Sequence, residues 1–281
     1  MKLKHTVLLI TICLQLSACK NSALFFVNSL ARLGDYTVES DISYGPQALN
    51  KLDLYRPDEK AKGIIIFFYG GCWGACQTYP KTKYRFVAET LINLGYAVVI
   101  PDYRLYPDVK FLDIMLDAKL AFKWVTDNIQ EFDLEAESLI LMGHSAGAHI
   151  AAMLAANEAY LGENLYPQLT GFIGLAGPYD FLFDQPYQYE LFSELEYHAT
   201  QPSTFVDGTE VPMLLLHGDG DKQVFLRNII NMRRAIEENN GNVVSKIYED
   251  VNHAKIIAAL SIPLRGRYLV VDDVSAFLKN L

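Results

Sequence analysis

The chain has 281 residues, a formal net charge of −9 and 51% hydrophobic residues. That apolar content is ample for the core of one large domain, and the length does not ask for a second. The acidic balance argues against nucleic acid and against an anionic polymer as partner.

The first element in chain order is a leader. Lys2 and Lys4 precede an apolar stretch at 7–16 that is too short to span a bilayer. It ends in Leu16-Ser17-Ala18-Cys19, which resembles the lipobox of bacterial lipoproteins. The resemblance implies that residues 1–18 are a signal peptide and that Cys19 becomes the lipid-anchored N-terminus. The domain would then sit outside the cytoplasm, on a membrane of the bacterial cell envelope. In the sorting pattern of that family, a lysine such as Lys20 favours the outer membrane. Cleavage would leave the chain more acidic, since Lys2 and Lys4 leave and no acid does. Residues 19–34 read as a spacer or short helix between the anchor and a domain at 35–281. No second long apolar segment follows, and no repeats or low-complexity tracts are present.

From residue 35 strands and helices alternate. Segments 35–44 and 47–55 alternate polar and apolar residues, as hairpin strands at a sheet edge do. Residues 63–69 form a continuous apolar run, as in a strand buried on both faces. A helix at 84–93, closed by Gly95, precedes another buried strand at 96–101. Residues 111–128 place Leu112, Met115, Leu116, Leu120 and Trp124 at helical spacing. Strands follow at 138–142, 170–176, 213–217 and 243–248. Helices follow at 146–156, 224–239 and 271–279. This alternation predicts an α/β fold with a mostly parallel sheet and helices on both faces. Residues 178–210 break the rhythm and are rich in Tyr and Phe. They read as a lid-like insertion over the carboxyl edge of the sheet, where ligands bind, and as the segment that sets substrate choice.

Gly143, Ser145 and Gly147 form G-x-S-x-G between a strand and a small-residue helix. Such a turn projects a serine from the sheet in a strained, exposed position. A serine hydroxyl needs a histidine to take its proton and a carboxylate to orient that ring. His253 follows the last strand. Asp219 and Asp221 both lie in the loop after the strand at 213–217. Backbone donors for an oxyanion are also required. Gly70 and Gly71 follow the strand at 63–68, so the N–H groups of Gly71 or Cys72, with that of Ala146, are the candidates. Cys72 and Cys76 form C-x-x-x-C, a pair that oxidises outside the cytoplasm and would stiffen this loop. No further Cys or His lies nearby in sequence to make a metal site.

Four motifs carry a resemblance: Tyr69-Gly-Gly-Cys-Trp73, Tyr103-Arg-Leu-Tyr-Pro107, Gly143-His-Ser-Ala-Gly147 and His217-Gly-Asp-Gly-Asp221-Lys-Gln-Val224. Together they resemble the α/β-hydrolase superfamily. The likeness is to its esterase/lipase group of hormone-sensitive-lipase type, with acetyl-esterase and kynurenine-formamidase-like relatives. The likeness spans about residues 63–255. It selects Asp221 over Asp219 as the acid, and it implies an acyl-enzyme mechanism on a small ester with no metal or organic cofactor. One departure stands out. The histidine that usually opens the oxyanion motif, and braces its loop, is Tyr69 here.

The remaining polar residues have plainer expectations. His144 reads as packing or pocket-lining, His149 and His217 as structural, and His198 as exposed. Asp102 and Arg104 read as loop braces, and Asp180 is a secondary candidate for the acid. The pattern thus predicts a serine hydrolase of carboxylic esters, of short or aromatic acyl type. An arylformamide, thioester or peptide bond would use the same machinery. A lipid-anchored binding protein on a hydrolase fold is the reading from a different class.

Overall fold

The structure is a computed structural model that describes residues 22–132, 134 and 138–281. The expected leader at 1–18 and the expected anchor residue Cys19 lie outside the described residues. Eight strands form one sheet: β1 (Tyr36–Ser43), β2 (Lys51–Pro57), β3 (Ile64–Phe68), β4 (Ala97–Pro101), β5 (Leu139–His144), β6 (Leu169–Leu175), β7 (Met213–Gly218) and β8 (Val243–Tyr248). Their spatial order is β1-β2-β4-β3-β5-β6-β7-β8. Only β2 runs against its neighbours, pairing antiparallel with β1 and β4, while β4 through β8 are parallel.

Burial explains this order. Every residue of β3, β4, β5 and β7 is buried, as central parallel strands require when helices cover both faces. The two edge strands, β1 and β8, mix half-buried with exposed residues. The long crossovers that parallel neighbours need are supplied by helices. These include α2 (Arg85–Asn93), α3 (Phe111–Asp127), α4 (Ala146–Ala156) and α7 (Arg227–Glu238). Helix α4 is buried along its whole length and packs on β3, β5 and β6. Because the strands run parallel, the loops after β3, β5, β7 and β8 all open at one edge of the sheet. That edge carries the site.

Three further helices are short: α5 (Glu158–Leu161), α6 (Pro186–Leu191) and α8 (His253–Ala258). The last element is α9 (Val270–Leu278). With six residues each, α6 and α8 are too short to show a helical period in sequence. Residues 22–31 are helical and are termed α1. Of the two readings of this stretch, spacer or short helix, the structure shows a helix, and α1 packs on the domain. Ala31 is fully buried, and Leu24 and Val27 pack against the core. Among the described residues no helix is long and apolar enough to cross a membrane.

Candidate active site

Ser145 sits between β5 and α4 with φ 56° and ψ −127°. A non-glycine residue holds such a conformation only when its surroundings enforce it. A Cβ built on Gly143 would lie 2.3 Å from the Gly147 carbonyl oxygen, and one on Gly147 would lie 2.1 Å from that of Phe68. Strand and helix therefore meet with no side chain between them, and the serine is pushed out at the tip.

The order of the loops brings three distant residues together. Ser145 Oγ lies 2.8 Å from His253 Nε2, and His253 Nδ1 lies 2.7 Å from Asp221 Oδ2. A carboxylate can only accept, so Nδ1 carries the proton and Nε2 accepts from the serine hydroxyl. The second carboxylate oxygen, Asp221 Oδ1, accepts the backbone N–H groups of Gln223 at 2.8 Å and Val224 at 3.0 Å. Burial alone would raise the Asp221 pKa. The bond and charge of His253 and these two N–H groups override it, and the pKa falls below its ordinary value. His253 opens α8, which is capped by the Asn252 side chain accepting the Lys255 N–H at 2.9 Å.

The other candidates fall elsewhere. Asp219 Oδ1 accepts the Asp250 N–H at 2.8 Å and ties two loops together. Asp180 bonds Asn231 through its carboxylate and Arg227 through its carbonyl, on the side of α7. His144 Nε2 meets the His253 carbonyl at 3.0 Å, and burial lowers its pKa to about 3, so it is a neutral donor holding α8. His217 is fully buried, with its Nε2 2.9 Å from the Val224 carbonyl. His149 Nε2 meets the Thr200 carbonyl at 2.7 Å, and burial lowers its pKa to about 4. His198 is exposed. Arg104 braces a loop through buried Asp117 at 2.9 Å.

The loop after β3 approaches Ser145 closely, since a Cβ on Gly70 would lie 2.8 Å from that of Ser145. Three successive residues, Gly71, Cys72 and Trp73, have φ of 131°, 51° and 55°. Holding two non-glycine residues there requires support. A disulfide joins Cys72 to Cys76. Trp73 is buried, with its ring 5.1 Å from His149 and 5.3 Å from Phe192.

Tyr69 supplies the rest of the support. Its ring stacks between Tyr84 at 5.1 Å and Tyr103 at 4.9 Å. Its hydroxyl donates to Asp102 Oδ1 at 2.7 Å, and its carbonyl accepts the Tyr103 hydroxyl at 2.6 Å. Asp102 is held in turn by Lys81, through its N–H at 2.8 Å and its Nζ at 3.5 Å. Lys81 is buried, and its Nζ also reaches Asp41 at 2.6 Å and Asp53 at 3.4 Å. Burial works to lower the Lys81 pKa, but these carboxylates outweigh it and raise it, so the ammonium stays charged. Sequence reasoning missed Lys81, because a lone lysine in a polar loop carries no signal of burial.

A cavity of about 540 Å³ opens in front of the serine. Ser145, His253, Gly71 and Cys72 line it. Among the described residues that line it, none is Asp, Glu, Lys or Arg. The insertion at 178–210, expected to set substrate choice, contributes no lining residue. Several of its aromatic side chains turn inward instead, while Tyr189 and Tyr197 stay exposed. Phe181 and Phe192 pack on Trp73 and His149, and so back the loop after β3. The wall comes from α1, through Ala23, Leu24 and Val27, and from Ile257, Ala258 and Leu264.

A mostly parallel sheet, a serine on a sharp strand-to-helix turn, and acid and base on later loops define an α/β-hydrolase fold. Solved structures share it. A truncated carbohydrate esterase from gut microbiota superposes with a TM-score of 0.72 at 17% identity, over 88% of this chain and 97% of that one. Thermogutta terrifontis esterase 2 phosphonylated by sarin does so with a TM-score of 0.71 at 21% identity, over 86% and 94%. The chain belongs to the BD-FAE family, whose model matches residues 52–235. Curated relatives include Arabidopsis thaliana isoprenylcysteine alpha-carbonyl methylesterase ICME, 27% identical over 84% of this chain and 61% of that protein. They also include Mycobacterium tuberculosis esterase LipQ, 27% identical over 85% and 61%. The chain thus spans about three fifths of the length of these relatives. Danio rerio kynurenine formamidase is 32% identical over half of this chain.

Proposed function

We propose that this protein is a serine hydrolase that cleaves uncharged carboxylic esters. The observation that carries the reading is the relay Ser145–His253–Asp221, at hydrogen-bond distance throughout and facing a cavity without formal charge. Ser145 Oγ attacks the acyl carbon while His253 Nε2 takes its proton. Asp221 holds the ring in the required tautomer and offsets the imidazolium charge. Negative charge on the former carbonyl oxygen is met by the backbone N–H groups of Gly71, Cys72 and Ala146. The bond to the alcohol oxygen breaks as His253 returns the proton to it. Water then attacks the acyl-enzyme, with the same base taking its proton, and releases the acid and Ser145.

The names of the relatives support ester chemistry. The anchoring of the chain through Cys19 to the bacterial cell envelope, outer membrane favoured, is part of the same reading and rests on Leu16-Ser17-Ala18-Cys19. The test is labelling with a fluorophosphonate, followed by mass spectrometry of the modified peptide. An adduct on Ser145, absent from Ser145→Ala, is the expected result. Folded protein without an adduct would overturn the reading in favour of a binding protein.

A further inference from the structure

We propose that α1 is the selecting wall of this cavity, with Leu24 and Val27 setting how large a hydrocarbon arm of the ester is accepted. The inference rests on the esterase reading and names the substrate class within it. Ala23 and Leu24 lie four and three residues before Val27, so each neighbours it on the helix surface, and all three line the cavity that holds Ser145 and His253.

This face is latched in place. Asn28, buried, donates through Nδ2 to the Lys83 carbonyl at 2.8 Å, and its Oδ1 accepts the Phe86 N–H at 3.3 Å. Tyr84 and Phe86, on that same segment, also line the cavity. The Tyr36 hydroxyl donates to the Ala31 carbonyl at 2.5 Å and closes the far end of the helix. The latch joins α1 to the segment whose Tyr84 ring stacks on Tyr69, so the wall and the loop after β3 are fixed to one support.

Chemistry then defines the arm. Carboxylate, phosphate or ammonium groups entering this cavity would shed water without meeting an Asp, Glu, Lys or Arg among its described lining residues, which disfavours them. An aliphatic or aryl arm loses nothing and gains from burial against Leu24, Val27, Ile257 and Leu264. The cavity is of small-molecule size.

The experiment compares kcat/KM along two series, p-nitrophenyl esters from acetyl to octanoyl and alkyl acetates from ethyl to octyl. The proteins are wild type, Val27→Trp, Leu24→Ala and Tyr189→Ala. Each is first titrated with a small phosphonate that reports on Ser145. In one of the two series Val27→Trp should lower the ratio of long to short substrate by about tenfold or more, and Leu24→Ala should move the optimum to longer chains. Tyr189 is exposed in the 178–210 insertion, and Tyr189→Ala should leave the ratio unchanged. Variants that label at Ser145 but keep the wild-type profile in both series would overturn the role of α1. So would a shift caused by Tyr189→Ala alone. Wild-type protein that fails to label would instead overturn the esterase reading beneath it.

Discussion

Tyr69→Phe tests whether the loop after β3 is held by the buried charge network. The substitution keeps the ring and its two stacked neighbours at 5.1 and 4.9 Å and removes only the hydroxyl that donates to Asp102 at 2.7 Å. Asp102 is then left with Lys81 alone, at 2.8 Å from its N–H and 3.5 Å from Nζ. A hydrogen bond to a buried charged group is worth about 2 kcal/mol. In a domain of this size that is a fall in Tm of about 4–8 °C. Tyr69 touches no substrate in this arrangement, so its effect on rate is indirect. Loosening the loop should blunt part of the oxyanion stabilisation, where each donor is worth about a hundredfold or more. A fall in kcat of about tenfold with KM within about twofold is the expected split. Steady-state kinetics on a p-nitrophenyl ester, with a melting curve on the same sample, measure both. A variant with wild-type kcat and a lowered Tm would show the network to be structural only. One with neither changed would refute the reasoning altogether.

Two further expectations concern charge. Asp221→Asn preserves shape but removes the acceptor charge that fixes the His253 tautomer, and kcat should fall by about 10⁴ with the fold intact by circular dichroism. A loss under about tenfold would move the acid elsewhere. Buried His149, whose pKa falls to about 4, makes stability depend on pH. Below pH 6.5 the unfolded chain takes up a proton on this residue that the folded one refuses, so stability drops as pH falls, down to about pH 4. Between pH 7 and pH 5 the wild type should lose about 2 kcal/mol more than His149→Gln in urea unfolding. Equal losses would show that His149 is charged in the folded state.

Much of this protein is legible from local pattern. The strands at the sheet centre announce themselves as unbroken apolar runs, because both of their faces must be dry. The serine turn is legible because only glycine fits where Gly143 and Gly147 meet backbone. The order Ser145, Asp221, His253 is legible because parallel strands deliver successive loops to one edge. Pairwise contacts were not. The residues alone left Asp219 and Asp221 open and the resemblance favoured Asp221; the fold shows Asp221 facing His253 and Asp219 tying down Asp250. The 178–210 insertion misled because aromatic residues pack inward on Trp73 as readily as they line a pocket, and composition records no direction. The burial of Lys81 and the docking of α1 were invisible for a similar reason. Burial of a single charge, or the docking of a short helix, depends on partners far away in the chain, here Asp41, Asp53 and Asp102 for the lysine and the 83–86 segment for the helix. Sequence alone determined the strands, the sharp turn at Ser145 and which residue types could form the site, since each follows from a local rule of backbone or side chain. Tertiary structure alone decided what each of the two carboxylates contacts, what braces the loop after β3 and which helix lines the cavity, since those are contacts between segments that no local rule connects.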